Sequence, residues 1–480
     1  MLLLPTTTSV LSNTSHQSAS ENRVFELCPI EQSRAAHPVV QYSLLYSYKL
    51  LPSEEKAYPP FVTVIQSAFG RLLELYPILS GHQVQLANRN VISTAADSGK
   101  PGPLFEIHEA GSMTVGEFEN IKFHRDQWPT AVDEALESRT TDLDRLIAGT
   151  ITLFSDGYLI TLSVNHIVAD GVAVFLLLQQ WASLAQKLAV DGESVAFPEI
   201  PIDFDHPAFW DKLTAHPKSA HPFVEYVNSQ DLGDMSAIQA KMAMWYQTGS
   251  LDGGNTLAER VLHVSAVAIK AIEDEYNKPE LLDGRPAIHG AQILYALLWQ
   301  RYVAAVVDMH AETEVAYTLP VFLTLMYGLR SITPAPHYIG NAVGSVLVPC
   351  HIKDILSMSI IDLARLVKEH LGNVTPGATV DYLNKVFSED SSFIAKNVYL
   401  CVRSESRLAI SNTSRLAFFD IDFGYGLPIA MLSGTRQAEG MASWLPSADG
   451  GINIHYGLKD DMYAALKRDS ALNKFVIFVN

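Results

Sequence analysis

The stretch Ser163-Val164-Asn165-His166-Ile167-Val168-Ala169-Asp170-Gly171 changes character in its middle. An apolar β-run, 158–165, delivers His166 to its end, and Asp170 stands four residues further on. Gly171 lets the chain turn tightly and opens a run in which Val174, Leu177, Leu178, Trp181 and Leu188 share one side of a helix. A strand that passes through a short turn into an amphipathic helix is the building unit of an α/β fold. The strand also has a partner just upstream. Residues 146–153 form a second β-rich run, and Ser155-Asp156-Gly157 between the two is a hairpin signal.

The alternation continues in both directions. Upstream, Ile65, Ala68, Phe69, Leu72 and Tyr76 follow helical spacing and predict a helix over 61–76, stopped by Pro77 and Gly81. Downstream, from Glu193 to Met235, the chain turns rich in Pro, Asp and His, which reads as a long connection packed across a surface. Beyond it the pattern predicts helix 236–247, strand 259–265, a long apolar helix 289–307, strands near 314–323 and 343–351, and helix 360–371. Strands near 397–403, 429–433 and 451–456 and a last helix at about 459–468 complete the series. The expected organisation is a mobile Ser/Thr/Asn-rich arm (1–22), an N-terminal lobe (23–192), a crossover (193–235) and a C-terminal lobe (236–480).

Composition narrows the function. The chain has 480 residues, 48% of them hydrophobic, more than one small core needs, so two domains or one two-lobed body is expected. With 34 Lys+Arg against 52 Asp+Glu the formal charge is −18, which argues against binding nucleic acid or an anionic membrane through bulk electrostatics. The three cysteines, Cys28, Cys350 and Cys401, are too far apart for a zinc knuckle or a redox pair and suit a reduced compartment. No apolar run reaches the ~18 residues of a spanning helix. The start of the chain lacks a basic segment ahead of its short apolar run, so a cytoplasmic location is expected.

His166 is the candidate for chemistry, because an imidazole can take a proton near neutral pH and return it, and a nearby acid can hold its geometry. A lone histidine beside an apolar strand is more often structural, and 16 histidines make one such match weak. No metal site is expected, since His166 and Asp170 have no partner pair at ligand spacing. A Gly-x-Ser-x-Gly elbow, a phosphate loop and a dinucleotide fingerprint are all missing, which weighs against serine hydrolases, nucleotide hydrolases and dinucleotide oxidoreductases.

A second signature, Asp422-Phe423-Gly424-Tyr425-Gly426-Leu427-Pro428, alters the balance. Together with His166-x-x-x-Asp170-Gly171 it resembles the BAHD acyltransferases, in particular their fungal branch. Leu75-Tyr76-Pro77-Ile78-Leu79-Ser80-Gly81, Ala296-Leu297-Leu298-Trp299, Tyr338-Ile339-Gly340-Asn341, Gly450-Gly451-Ile452 and Asp461-Met462 are similar to further segments of that family, in the family's order. The resemblance implies an α/β fold of two chloramphenicol-acetyltransferase-like lobes, with mixed sheets flanked by helices and joined by the long crossover. It also implies that His166 lies where acyl-CoA and an acceptor meet.

By the same resemblance Asp170 supports the site, paired with Arg330, while Gly171 opens the helix. The Asp422 loop, with Gly424 and Gly426, is architectural, and Asn341 and Tyr425 are candidates for substrate contact. Two departures stand out: Tyr425 replaces the family's usual Trp, and Leu427 a common Lys. Asn165, where peptide-synthetase condensation domains carry a further His, argues against that branch of the fold. Of the other histidines, His206, His216 and His221 in the crossover read as solvated and His455 on a late strand as a packing residue. The expectation is a monomeric transferase of specialised metabolism. It would move an acetyl or other short acyl group from acyl-CoA, as co-substrate with no permanently bound cofactor, to a small-molecule hydroxyl. Alternatives are N-acylation of an amine, condensation or cyclisation by a repurposed member, and a catalytically idle binding protein.

Overall fold

The computed structural model describes residues 7–10, 23–32, 39–47, 60–86, 89–95, 100–120, 128, 132, 144–192, 205–215, 257–309, 320–331, 333, 335–387, 407–434 and 437–479. Its contacts divide the chain into two compact units. The first comprises Met1–Lys212, Thr333–Ala342 and Leu416–Thr435; the second comprises Leu213–Ile332, Val343–Arg415 and Arg436–Asn480.

In the first unit, β1 (Thr7–Val10), β6 (Leu104–Glu109), β7 (Ile147–Phe154), β8 (Gly157–Asn165), β3 (Val39–Ser47) and β13 (Ala430–Ser433) form one sheet in that order. Only β6 and β7 run parallel. A smaller sheet joins β2 (Val24–Glu26), β5 (Arg89–Ser93) and β4 (His82–Leu86). Its helices include α1 (Pro29–Gln32), α2 (Pro60–Leu75), α3 (Val115–Asn120), α4 (Gly171–Asp191) and α5 (His206–Thr214).

Helix α2 starts with Pro60, whose fixed φ suits a first helical turn, and buries Phe61, Val62, Ile65, Ala68, Phe69 and Leu72 as a single stripe. Helix α4 buries Leu177, Leu178, Trp181 and Leu184 among others. The two helices meet through Trp181, fully buried, whose indole Nε1–H donates to the Ile65 carbonyl at 2.9 Å. Phe69 lies 5.2 Å from Trp181 and 5.6 Å from Phe105 on β6, so both helices close over one face of the sheet. Gly149 on β7 leaves room for this, because a Cβ there would stand 3.0 Å from the Phe69 ring.

β3 is additional to the strands expected from sequence, and its polar residues Gln41 and Ser43 are both buried. Each has a partner across the ladder: Gln41 Nε2 donates to Ser163 Oγ at 2.9 Å, and the Ser43 and Thr161 hydroxyls share a 2.8 Å hydrogen bond. Burying such groups unpaired would cost about 1–3 kcal/mol each, so the pairs also fix the β3–β8 register.

In the second unit, β11 (Val343–His351), β10 (Pro320–Gly328), β12 (Arg407–Asn412), β14 (Met441–Pro446), β15 (Ile452–Lys459), β9 (Leu257–Val264) and β16 (Ile477–Phe478) form a mixed sheet, with β10–β12 and β12–β14 parallel. Helix α6 (Ala266–Tyr276), α7 (Gly290–Met309), α8 (Ile360–Gly372) and α9 (Asp460–Arg468) flank it. α7 is buried on nearly every side, from Ile293 through Trp299 to Val306, as expected of a helix without a polar face.

The α/β class with mixed sheets flanked by helices is the one expected. Several particulars differ. Thr7–Val10, within the stretch expected to be a mobile arm, pairs with Leu104–Ile107. The Asp422 loop, grouped by sequence order with residues 236–480, belongs to the first unit, because β13 just after it pairs with β3. The strand expected near 314–323 runs Pro320–Gly328, and β12 at Arg407–Asn412 is additional. A further short helix, Ser470–Asn473, follows α9, the one expected to be last. The expected helix 236–247 and strand 397–403 lie outside the described residues, as does most of the crossover.

Candidate active site

His166 follows the last residue of β8 and is half-buried. Its turn is made by the residue before it. Asn165 accepts at its side-chain Oδ1 from the Ile167 N–H at 3.0 Å and at its backbone oxygen from the Val168 N–H at 3.1 Å. Its own N–H donates to the Leu146 carbonyl at 2.8 Å, continuing the β7–β8 pairing into the turn. An asparagine accepts such a bond from the residue two further on without strain, so residue 165 sets the direction in which residue 166 leaves the strand.

Asp170 is 3% exposed and works at both of its oxygens. Oδ1 accepts from Ala173 N–H at 2.9 Å, capping α4, with the Asp170 backbone extended at φ −95° and ψ −179°. Oδ2 accepts from Ala342 N–H at 2.8 Å. The carboxylate therefore ties the start of α4 to the segment 333–342. Gly171 is the first residue of α4.

Asn341, a candidate for substrate contact, is fully buried. Its side-chain Nδ2 donates to the backbone carbonyl of His166. A carbonyl only accepts, which settles the orientation of the amide. Adjacent residues, 341 and 342, thus hold opposite ends of the turn 166–170. Sequence reading missed the group beneath them. The Glu31 carboxylate, fully buried, receives Asn341 N–H at 3.1 Å, Tyr338 O–H at 2.8 Å and the His206 ring Nδ1 at 2.6 Å on one oxygen, and Cys28 N–H at 2.9 Å on the other. His206, read from sequence as solvated, is 2% exposed. It begins α5, whose Phe209 stacks on Tyr338 at 4.1 Å, so the residue faces inward despite its polar neighbours. His216 and His221 lie outside the described residues.

The profile of the Transferase family, the BAHD acyltransferases, matches residues 18–472. The chain belongs to this family. Among curated BAHD relatives, a coumaroyl-CoA:anthocyanidin 3-O-glucoside-6''-O-coumaroyltransferase of Arabidopsis thaliana is 20% identical over 336 residues, 68% of this chain and 66% of its own length. The chain thus spans about two thirds of that relative. Among solved structures, TRI101 of F. graminearum, in complex with coenzyme A and deoxynivalenol, superposes with a TM-score of 0.72 at 15% identity, covering 95% of this chain and 100% of that one. Vinorine synthase superposes with a TM-score of 0.62 at 16% identity, covering 98% of each.

The loop that carries the second BAHD-like signature is built around its acid. Asp422 Oδ1 accepts from the N–H groups of Gly424 at 2.6 Å, Tyr425 at 3.0 Å and Gly426 at 3.0 Å. Gly424 and Gly426 have φ of 95° and 111°, a region where a Cβ is strained. Phe423 is fully buried, edge-on to Trp181 at 5.2 Å, and Gln186 of α4 donates to the Asp422 carbonyl at 2.6 Å. Burial, with Tyr158 and Asp422 adding to it, pushes the Tyr46 hydroxyl well up from its ordinary value, so it remains a donor to the Ile421 carbonyl at 3.0 Å. Tyr425 is half-buried with its ring 5.3 Å from Phe61. Arg330 lies in the short turn Leu329–Ser331 after β10, in the second unit, and is 8% exposed. Among the described residues no group of His, Cys, Asp and Glu side chains could hold a metal ion, and no helix is long and apolar enough to cross a membrane.

Proposed function

We propose that this chain transfers an acyl group, acetyl or another short one, from acyl-CoA to the hydroxyl of a small specialised metabolite, with His166 as general base. The observation that carries the reading is the contrast between the two polar residues of the turn. Asp170 is buried and bound to backbone amides of Ala173 and Ala342, whereas His166, at the end of β8 on a backbone held by Asn165 and Asn341, is only half-buried. A base must reach its substrate, and a cap need not. Family membership and the fold shared with a coenzyme A-bound acceptor complex support the donor and the small-molecule acceptor.

The chemistry follows from the weakness of an alcohol as an acid. The imidazole takes the hydroxyl proton as the oxygen attacks the thioester carbonyl, forming the C–O bond. The tetrahedral intermediate collapses with cleavage of the C–S bond, and the imidazolium returns the proton to the leaving thiolate. Ester and free CoA are the products, and no covalent acyl-enzyme is needed when both substrates bind together.

The test is thiol release from acetyl-CoA with a panel of acceptor alcohols that includes deoxynivalenol and a flavonoid glucoside, with amines run alongside. Release that requires an alcohol is expected, and His166→Ala should stay folded while turnover falls at least about a hundredfold. Near-normal turnover in that variant removes His166 from the mechanism, and a preference for amines moves the acceptor class to N-acylation.

A further inference from the structure

We infer that Glu31 is a positioning residue for His166, acting through Asn341 and supported by Tyr338 and His206. The inference rests on the reading of His166 as the base.

A fully buried carboxylate is an expensive core residue, since an apolar side chain of the same size would fill the space without desolvating a charge. Glu31 meets that demand with four donors from three places: Cys28 ahead of α1, His206 at the start of α5, and Tyr338 and Asn341 from the segment 333–342. Three of them converge on the same oxygen. These partners are separated from Glu31 in sequence by 175, 307 and 310 positions, so the oxygen joins parts of the chain that no local structure brings together.

The segment is shaped to reach it. A Cβ on Gly340 would fall 2.3 Å from the Tyr338 hydroxyl, so the tyrosine ring folds back across a position that only glycine can occupy. Phe209 of α5 stacks on that ring with an interplanar angle of 5°, which fixes its plane. The Glu31 oxygen then fixes the backbone at Asn341, and the amide of the same residue holds the His166 carbonyl. One residue on, Ala342 is held by Asp170. Glu31 is bound to Cys28, His206, Tyr338 and Asn341, so its effect on chemistry passes through the placement of the turn. A displacement of about 1 Å at a reacting group can cost on the order of a hundredfold in rate, so a small relaxation at Asn341 is sufficient.

The experiment uses the full chain with acetyl-CoA and the fastest alcohol of the panel above, in wild type, Glu31→Gln, Tyr338→Phe, His166→Ala and the Glu31→Gln/His166→Ala double variant. Glu31→Gln keeps the shape but places an NH2 where an acceptor is needed. It should lower kcat about tenfold or more while the KM for acetyl-CoA stays within about twofold, the signature of a lost transition-state interaction. Tyr338→Phe keeps the stack on Phe209 and removes one donor, so its kcat should fall by less, in the same sense. In the His166→Ala background Glu31→Gln should have no further effect, because residues acting as one unit are non-additive. An equal fractional loss in both backgrounds, or a rise in KM with kcat unchanged, makes Glu31 a stabilising residue only and overturns the inference while the base reading stands. Near-normal turnover of His166→Ala removes the base reading, and the inference with it. If Glu31→Gln fails to fold, Tyr338→Phe decides by the same criteria.

Discussion

Replacing Asp170 by serine separates two tasks that one carboxylate performs. Serine caps a helix about as well as aspartate, so the bond to Ala173 N–H, 2.9 Å in the native protein, survives in kind. The shorter side chain has no second oxygen for Ala342 N–H, at 2.8 Å from Oδ2. That N–H is buried, and a buried donor left without an acceptor costs about 1–3 kcal/mol. Asp170→Ser should therefore lose about 2 kcal/mol, and Asp170→Ala about a further 1 kcal/mol for the cap. For a domain of about 150–250 residues each kcal/mol moves the melting midpoint by roughly 2–4 °C, which gives about 4–8 °C for serine and a few degrees more for alanine. Differential scanning calorimetry on both variants measures the step, and turnover with acetyl-CoA is read beside it. Turnover should fall in both, because Asn341, next to the released Ala342, holds the His166 carbonyl. A serine variant that melts with wild type yet loses turnover refutes the structural account and returns Asp170 to a direct role in the chemistry.

Two further outcomes follow from the same contacts. Gly340→Ala should lower both the melting temperature and kcat, since the new Cβ would displace the Tyr338 ring and its hydroxyl; normal values for both would mean the ring has another place to go. The protein's own thiols at Cys28 and Cys350 should stay silent in a thiol-release assay. Burial, with Asp354 adding to it, pushes Cys350 up to about 11, and burial followed by Glu31 pushes Cys28 well up. At pH 8 roughly one Cys350 in a thousand is then thiolate, the form that reacts. Rapid alkylation of the native protein at either site, read by peptide mass spectrometry, contradicts this.

Several lapses in the sequence reading share a cause. On β3, Gln41 and Ser43 look like surface residues, and only pairing with Ser163 and Thr161 makes them core. His206 looked solvated for the same reason, its polar neighbours giving no hint that Glu31 and Tyr338 wait for it. Asn341 was legible as a residue of interest, but its orientation toward the His166 carbonyl was not. In each instance a polar side chain is buried by virtue of a partner that composition and period do not name.

Local chemistry is what the chain itself prescribed: the alternation of β-run and amphipathic helix, the acid and glycine that start α4, and the two glycines at φ 95° and 111° that let the Asp422 loop close on its own carboxylate. All of these act over a few residues, where spacing determines geometry. Tertiary structure alone decided that Glu31, Asn341 and the His166 turn meet, and that the loop following Asp422 lends a strand to the sheet of β3. Hydrogen bonds of about 3 Å between residues hundreds of positions apart leave no periodic trace in sequence, because they are selected by the packing of whole elements.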